Sequence, residues 1–350
     1  MRKNLLVSVS AFVAAGWCAA IAGTYIPVPM VPGAVSQIVF AINNHNVVAG
    51  SFRDANNIEH GFFGPLDGSN YTAFDFPGDG TTGTEPRYIN DKGAIDGFAT
   101  NPNFQIGEEF YRSPSGVFKV FQIDGQPLDG VAQGMNDDGT NMGDYYNNEG
   151  ERVGYRGRYG VYKNNFGVHL NGHKHFSQVS PRGITDLGNV TVGQFLDQSG
   201  VQYGFFQEDL GKGKFALVIN YPNATSASLE DINDSLMATG QRTDSKGNSH
   251  AFQINLEELQ NIRIKDLNPR DGSTYQQAWG INDHGLVALS TSTGMSYIYC
   301  PKKNPDKCPA GGVVNDLTTK PPLEIVQPDK RHGGFGSRRP VKAPKGAAIQ

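Results

Sequence analysis

Along most of this chain an apolar residue runs into two short polar residues and, two positions on, a residue able to take positive φ, as in Ile281-Asn282-Asp283-His284-Gly285. Asn and Asp side chains bond their own backbone in turns, and glycine or asparagine tolerates a left-handed backbone. The pentad therefore predicts a type I turn closed by a left-handed residue between two strands. It recurs as Ile42-Asn43-Asn44-His45-Asn46, Ile89-Asn90-Asp91-Lys92-Gly93, Met135-Asn136-Asp137-Asp138-Gly139, Thr185-Asp186-Leu187-Gly188-Asn189 and Ile232-Asn233-Asp234-Ser235-Leu236. At Leu236, which is neither Gly nor Asn, the turn must differ or be strained.

Two landmarks keep step with the turn. A glycine stands in the following strand (Gly50, Gly97, Gly143, Gly193, Gly240, with Leu289 breaking the rule), and an aromatic comes later (Phe62, Phe110, Tyr155, Phe205, Phe252, Tyr297). Counting from Asn43, Asn90, Asn136, Asp186, Asn233 and Asn282, the spacings are 47, 46, 50, 47 and 49. Such a period, with several short strands per unit, predicts an all-β β-propeller of six four-stranded blades, another blade number being the alternative. Blades packed face to face bury one another, with the Ile and aromatic positions filling the seams.

The proline-rich Thr24 to Gly33 looks like the strand before each turn, for example Tyr71 to Gly78, and its prolines confine it to an edge. Val313-Val314-Asn315-Asp316-Leu317 looks like a seventh such strand. One of these two closes the ring or adds an edge, and the sequence leaves both open.

The frame Ile-Asn-Asp-x-Gly, Val-x-Gly, then His-Gly-Phe or His-Ala-Phe resembles the bacterial extracellular HAF repeats. The triplet is literal at His250-Ala251-Phe252, near-literal at His60-Gly61-Phe62, and partial elsewhere. The resemblance covers residues 25 to 317. It implies a secreted propeller-like protein and brings no catalytic motif with it.

Ahead of the repeats, Met1-Arg2-Lys3-Asn4 is basic, Leu5 to Ala19 is apolar, and Ala20-Ile21-Ala22 is a small-x-small cleavage pattern. Residues 1–22 are expected to be a signal peptide, the apolar run being short for an anchor and Trp17 too bulky for a lipidation box. Residues 23–320 form the propeller and residues 321–350 a basic tail. Export makes Cys300 and Cys308 an expected local disulfide.

The chain has 44 glycines and a net charge of −4, yet from Pro328 onward Lys330, Arg331, Arg338, Arg339, Lys342 and Lys345 face only Asp329. That tail cannot bury a core and is expected to be disordered, an inert end or an electrostatic tether to anionic polymer or lipid. The repeat body is correspondingly acidic, which argues against nucleic acid as partner.

For chemistry, the third unit concentrates aromatics, arginines and amides. Tyr145, Tyr146, Tyr155, Arg156, Arg158 and Tyr159 are the candidate ligand-binding residues, suited to carbohydrate or protein, although half of these rings would equally serve as blade core. His169, His173 and His175 flank Asn171-Gly172, a hairpin signal that puts His169 on the face opposite the other two, so no metal site is expected. Glu108-Glu109 and Asp137-Asp138 read as solvated or capping groups. His60 and His250, with Glu109 and Tyr203 taken as their counterparts, read as bonding backbone in a neighbouring strand. There is no nucleophile elbow, phosphate loop or HExxH, and no cofactor is expected.

The sequence thus predicts a monomeric binding module at or outside the cell envelope, with no transmembrane segment after signal cleavage and a glycan or protein as partner. The alternatives are a polysaccharide hydrolase or lyase and a structural envelope or matrix protein.

Overall fold

The computed structural model describes residues 23–302 apart from 169–175, 212–213, 222, 258, 260–261 and 274–275, together with 308, 313–314 and 324–326. The expected signal segment, the three clustered histidines and the tail from Pro328 lie outside the described residues.

The fold is the expected all-β propeller. Each unit is an antiparallel meander whose innermost strand precedes the Asx turn: Ser36–Ile42, Gly83–Ile89, Gly130–Met135, Phe176–Ile184, Ala224–Ile232 and Gln276–Ile281. Three further strands follow in each of the first five units, ending at Thr72–Phe74, Phe118–Val120, Val161–Asn165, Lys214–Asn220 and Arg263–Leu267. In the sixth unit only Val287–Thr291 and Ser296–Cys300 follow, and Thr24–Pro27 supplies the outer strand by pairing with Ser296–Cys300. The N-terminal strand therefore closes the ring. Val313–Val314 is the added edge, pairing on its far side, and Glu324–Val326 extends the outer edge of the fourth unit.

Turn-to-turn hydrogen bonds run around the circle. Asn43 Nδ2 donates to Asn90 O (3.1 Å), Asn90 to Asn136 O (3.3 Å), Asn136 to Thr185 O (3.2 Å), Asn233 to Asn282 O (2.9 Å), and Asn282 back to Asn43 O (3.0 Å). In the fourth unit Thr185, not Asp186, holds the first turn position, and Gly188 rather than Asn189 carries the left-handed backbone (φ 68°). Leu236 keeps the same turn as the others at φ 56°, so the exception is strained rather than different.

The recurring glycine has a cause the sequence did not disclose. Every innermost strand bulges three residues before its turn, at Phe40, Arg87, Gln133, Arg182, Glu230 and Trp279. The bulge swings a carbonyl across the second strand. A side chain on Gly50, Gly97, Gly143, Gly193 or Gly240 would run into the oxygen of Ile38, Glu85, Val131, Ser180 or Ser228. In the sixth unit the register breaks across both Trp279 and Gly280, and Leu289 fits.

The seams hold the core. Phe62, Phe110, Tyr155, Phe205 and Phe252 are fully buried, each worth about 2–3 kcal/mol in apolar burial. Tyr297 is only partly buried, and Ile298 and Tyr299 fill its seams instead. Cys300 and Cys308 are disulfide-bonded, their Cα atoms 5.9 Å apart. Among the described residues no helix is long and apolar enough to cross a membrane.

Candidate functional site

The residue after each turn's first position (Asn44, Asp91, Asp137, Asp186, Asp234, Asp283) points to the axis, and together they form one closed cycle. Asn44 N donates to Asp91 Oδ1 (2.7 Å), Asp91 N to Asp137 (2.8 Å), Asp137 N to Asp186 (2.9 Å), Asp186 N to Asp234 (2.8 Å), Asp234 N to Asp283 (3.0 Å), and Asp283 N to Asn44 (2.8 Å). In most turns the first Asx satisfies its own hairpin, as Asn282 Oδ1 does for His284 N and Leu286 N, which leaves this N–H for the next unit.

The cycle gathers five carboxylates at one mouth of the axis. Asn44 relieves two of them, its Nδ2 donating to Asp91 Oδ2 (2.9 Å) and Asp283 Oδ2 (2.8 Å). No donor among the described residues bonds the second oxygens of Asp137, Asp186 and Asp234. Burial, reinforced by the charges of Asp137, Asp234 and Asp283, pushes the Asp186 carboxyl up to about 6 against the pull of the Asp137 N–H. Burial raises Asp137 and Asp234 as well. Carboxylate oxygens of Asp186, Asp234 and Asp283 lie within 4.8 Å of one another, a spacing that one oxygen-coordinated cation can span.

Behind the ring the axis is nearly full. The cavity under the carboxylates is about 30 Å³, room for a water or an ion and far below what an organic ligand needs. Tyr88 separates it from a second cavity of about 10 Å³ lined by the bulged residues of five units, Phe40, Arg87, Gln133, Glu230 and Trp279. There the Arg87 guanidinium lies between Phe40 and Trp279 (4.4 and 4.5 Å to the ring centres) and pairs with Glu85 at 2.6 Å, while Arg182 pairs with Glu230. Asp231 stands where four other units have Ala41, Gly134, Gly183 and Gly280; burial pushes it up to about 8 although Ile232 N and Ile281 N bond it.

The third-unit residues named from sequence divide. Tyr145 (9% exposed) and Tyr155 (0%) are seam core, their hydroxyls donating to Asn165 Oδ1 (3.1 Å) and Glu109 Oε2 (2.5 Å), so neither offers a ring to a ligand. Tyr146 lies at the opposite end of its strand from the Asx turn, half-buried. Arg156, Arg158 and Tyr159 do gather on the turn face beside the carboxylates. Arg156 Nη2 donates to Gly188 O (3.3 Å), Arg158 pairs with Asp138 (2.8 Å) with its guanidinium 5.1 Å from the Tyr159 ring centre, and Tyr159, 39% exposed, lies over Gly139. Leu187, 75% exposed, tops the neighbouring turn.

Other sequence readings need correction. Glu109 is not solvated but fully buried, and it is the counterpart of Gly61 and Ala251 rather than of the histidines, since it follows Glu108 and precedes the seam aromatic Phe110. Asp137 is a capping group, as expected, but it caps the turn of the preceding unit, accepting from Asp91 N, rather than its own. His60 and His250 bond carboxylates, Asp75 at 2.8 Å and Asp244 at 2.9 Å, rather than backbone. The carboxylate ring itself was missed because each Asx was read only for its own hairpin. Reading the second turn position down the repeats, Asn-Asp-Asp-Asp-Asp-Asp, would have exposed it.

No family model and no curated protein matches the chain. Among solved structures it is similar to virginiamycin B lyase from Staphylococcus aureus (12% identity, TM-score 0.41, covering 79% of this chain and 99% of that one). It is also similar to TolB from Acinetobacter baumannii (10%, 0.45, 73% and 63%) and to a lectin from Aleuria aurantia (10%, 0.41, 80% and 99%). At these identities no residue role passes from them to this chain.

Proposed function

We propose that this chain is an exported binding module of the HAF-repeat kind, working at or outside the cell envelope, whose recognition surface is the turn face. The observation that carries the reading is the closed cycle of turns, which fixes five carboxylates at the axial mouth and leaves oxygens of Asp137, Asp186 and Asp234 without a donor among the described residues. Hydroxyl groups of a carbohydrate can fill that role. The exposed Tyr159 ring, held by Arg158 at the rim, supplies the flat apolar surface on which a sugar ring stacks. The Cys300–Cys308 disulfide supports an oxidising compartment.

Catalysis is the less favoured reading. The raised Asp186 carboxyl has the ionisation of a general acid, yet the cavity of about 30 Å³ beneath it admits no sugar ring. The test is a glycan array on residues 23–350, with mass spectrometry for product on every glycan retained. Binding without turnover, weakened at least tenfold by Tyr159→Ala and by Asp234→Asn, supports the module. Turnover sinks it in favour of the enzyme, and silence in both channels in favour of a structural role.

A further inference from the structure

Two carboxyl groups are sealed in the seam between the second and third units. Asp96 and Glu109 share one face of the second unit, and both are fully buried. At the place of Asp96 the other units carry Ala49, Met142, Val192, Thr239 and Ala288, and at the place of Glu109 they carry Gly61, Gly154, Gly204, Ala251 and Ser296. The third unit meets the pair with polar groups: Asn141 Nδ2 donates to Asp96 Oδ2 (2.9 Å) and Tyr155 OH to Glu109 Oε2 (2.5 Å). Asp96 Oδ1 and Glu109 Oε1 have no partner among the described residues. A buried carboxylate with an unpaired oxygen is costly, and the group takes a proton instead.

We propose that this seam is a proton-operated latch, closed while Asp96 and Glu109 are uncharged and loosened when they ionise.

The surroundings offer little to hold the charged forms. Around Glu109 stand Tyr155, Asp144, Asp96 and Asp129, three of them acids; around Asp96 stand Asn141, Tyr111 and Arg87, and Arg87 is already paired with Glu85. Asp144 is itself bonded by Arg152 and by Ser180. Burial pushes Asp96 up to about 7, and burial with the neighbouring acids raises Glu109 well above the usual carboxylate range. An acid whose folded value is raised adds stability that is present at low pH and lost as pH climbs from its unfolded value through the folded one. The latch therefore releases around and above neutrality. A path to the surface exists, because Asn141 Oδ1 also accepts Gly160 N (3.4 Å), in the turn that presents Tyr159. The latch does not depend on what that rim binds.

The test compares residues 23–350 with Glu109→Gln, Asp96→Asn and the double variant, melted from pH 5 to 8.5. Hydrogen exchange at pH 8 is followed in residues 93–112 and 140–160. Between pH 5 and 8 the parent should lose about 5 °C relative to the double variant, and its seam amides should exchange about tenfold faster at pH 8. Parallel melting profiles and equal exchange overturn the latch. Should the amide variants fail to fold, Tyr155→Phe removes the donor that favours ionised Glu109 and must move the parent's pH midpoint upward; an unmoved midpoint also overturns it.

Discussion

Asp186→Asn probes the carboxylate ring directly. The substitution keeps Oδ1 as acceptor for the Asp137 N–H (2.9 Å) and removes one of five negative charges. Asp186 is pushed from 3.8 to about 6, and at about 1.4 kcal/mol per pH unit the ceiling is about 3 kcal/mol of destabilisation by its charged form. The mouth is half open to water, which screens the repulsion, so about 1 kcal/mol is the expected net effect. The sign follows from linkage: the folded state holds this proton more tightly, so stability falls as pH rises from about 4 to about 6 and stays lower above. Melts at low ionic strength should therefore show the variant about 2 °C above the parent at pH 7 and level with it at pH 4, the gap shrinking in 0.5 M salt. A variant less stable than the parent at pH 7, or a gap that ignores pH, would refute a charge penalty on Asp186 set by its burial and by the neighbouring acids.

Gly97→Ala drives a methyl into the Glu85 carbonyl and should lower the urea midpoint by the equivalent of about 1–3 kcal/mol, whereas Ala at the exposed turn glycine Gly200 costs only its backbone strain. Tyr155→Ala should cost about 3–5 kcal/mol in denaturant melts, as expected of seam core, so loss of binding in that variant says nothing about ligand contact. Reducing the Cys300–Cys308 bridge should cost about 2.5 kcal/mol at most, read as the change in melting temperature with and without a thiol reductant, because the two cysteines are only eight positions apart.

The turns were legible because they are local: Asx side chains, a left-handed residue and a spacing repeated along the chain declare a hairpin without reference to anything distant. The same holds for the seam aromatics and for the disulfide between two nearby cysteines. Which terminal strand closes the ring was not legible, since Thr24–Pro27 and Val313–Val314 read alike and only pairing with Ser296–Cys300 separates them. The bulge that explains Gly50 and its counterparts was equally hidden, because a register shift leaves no composition of its own. The candidate site shows the division most clearly. Sequence set an Asx beside every turn, but a carboxylate's role depends on the hydrogen bond it makes to a unit nearly fifty residues away, and on four like charges brought to the same axis. Tyr155, Glu109 and Asp96 were unreadable for the same reason: side-chain alternation puts a residue on one face of a strand, while the neighbouring unit packed against that face decides whether it meets water, a ligand or a buried partner.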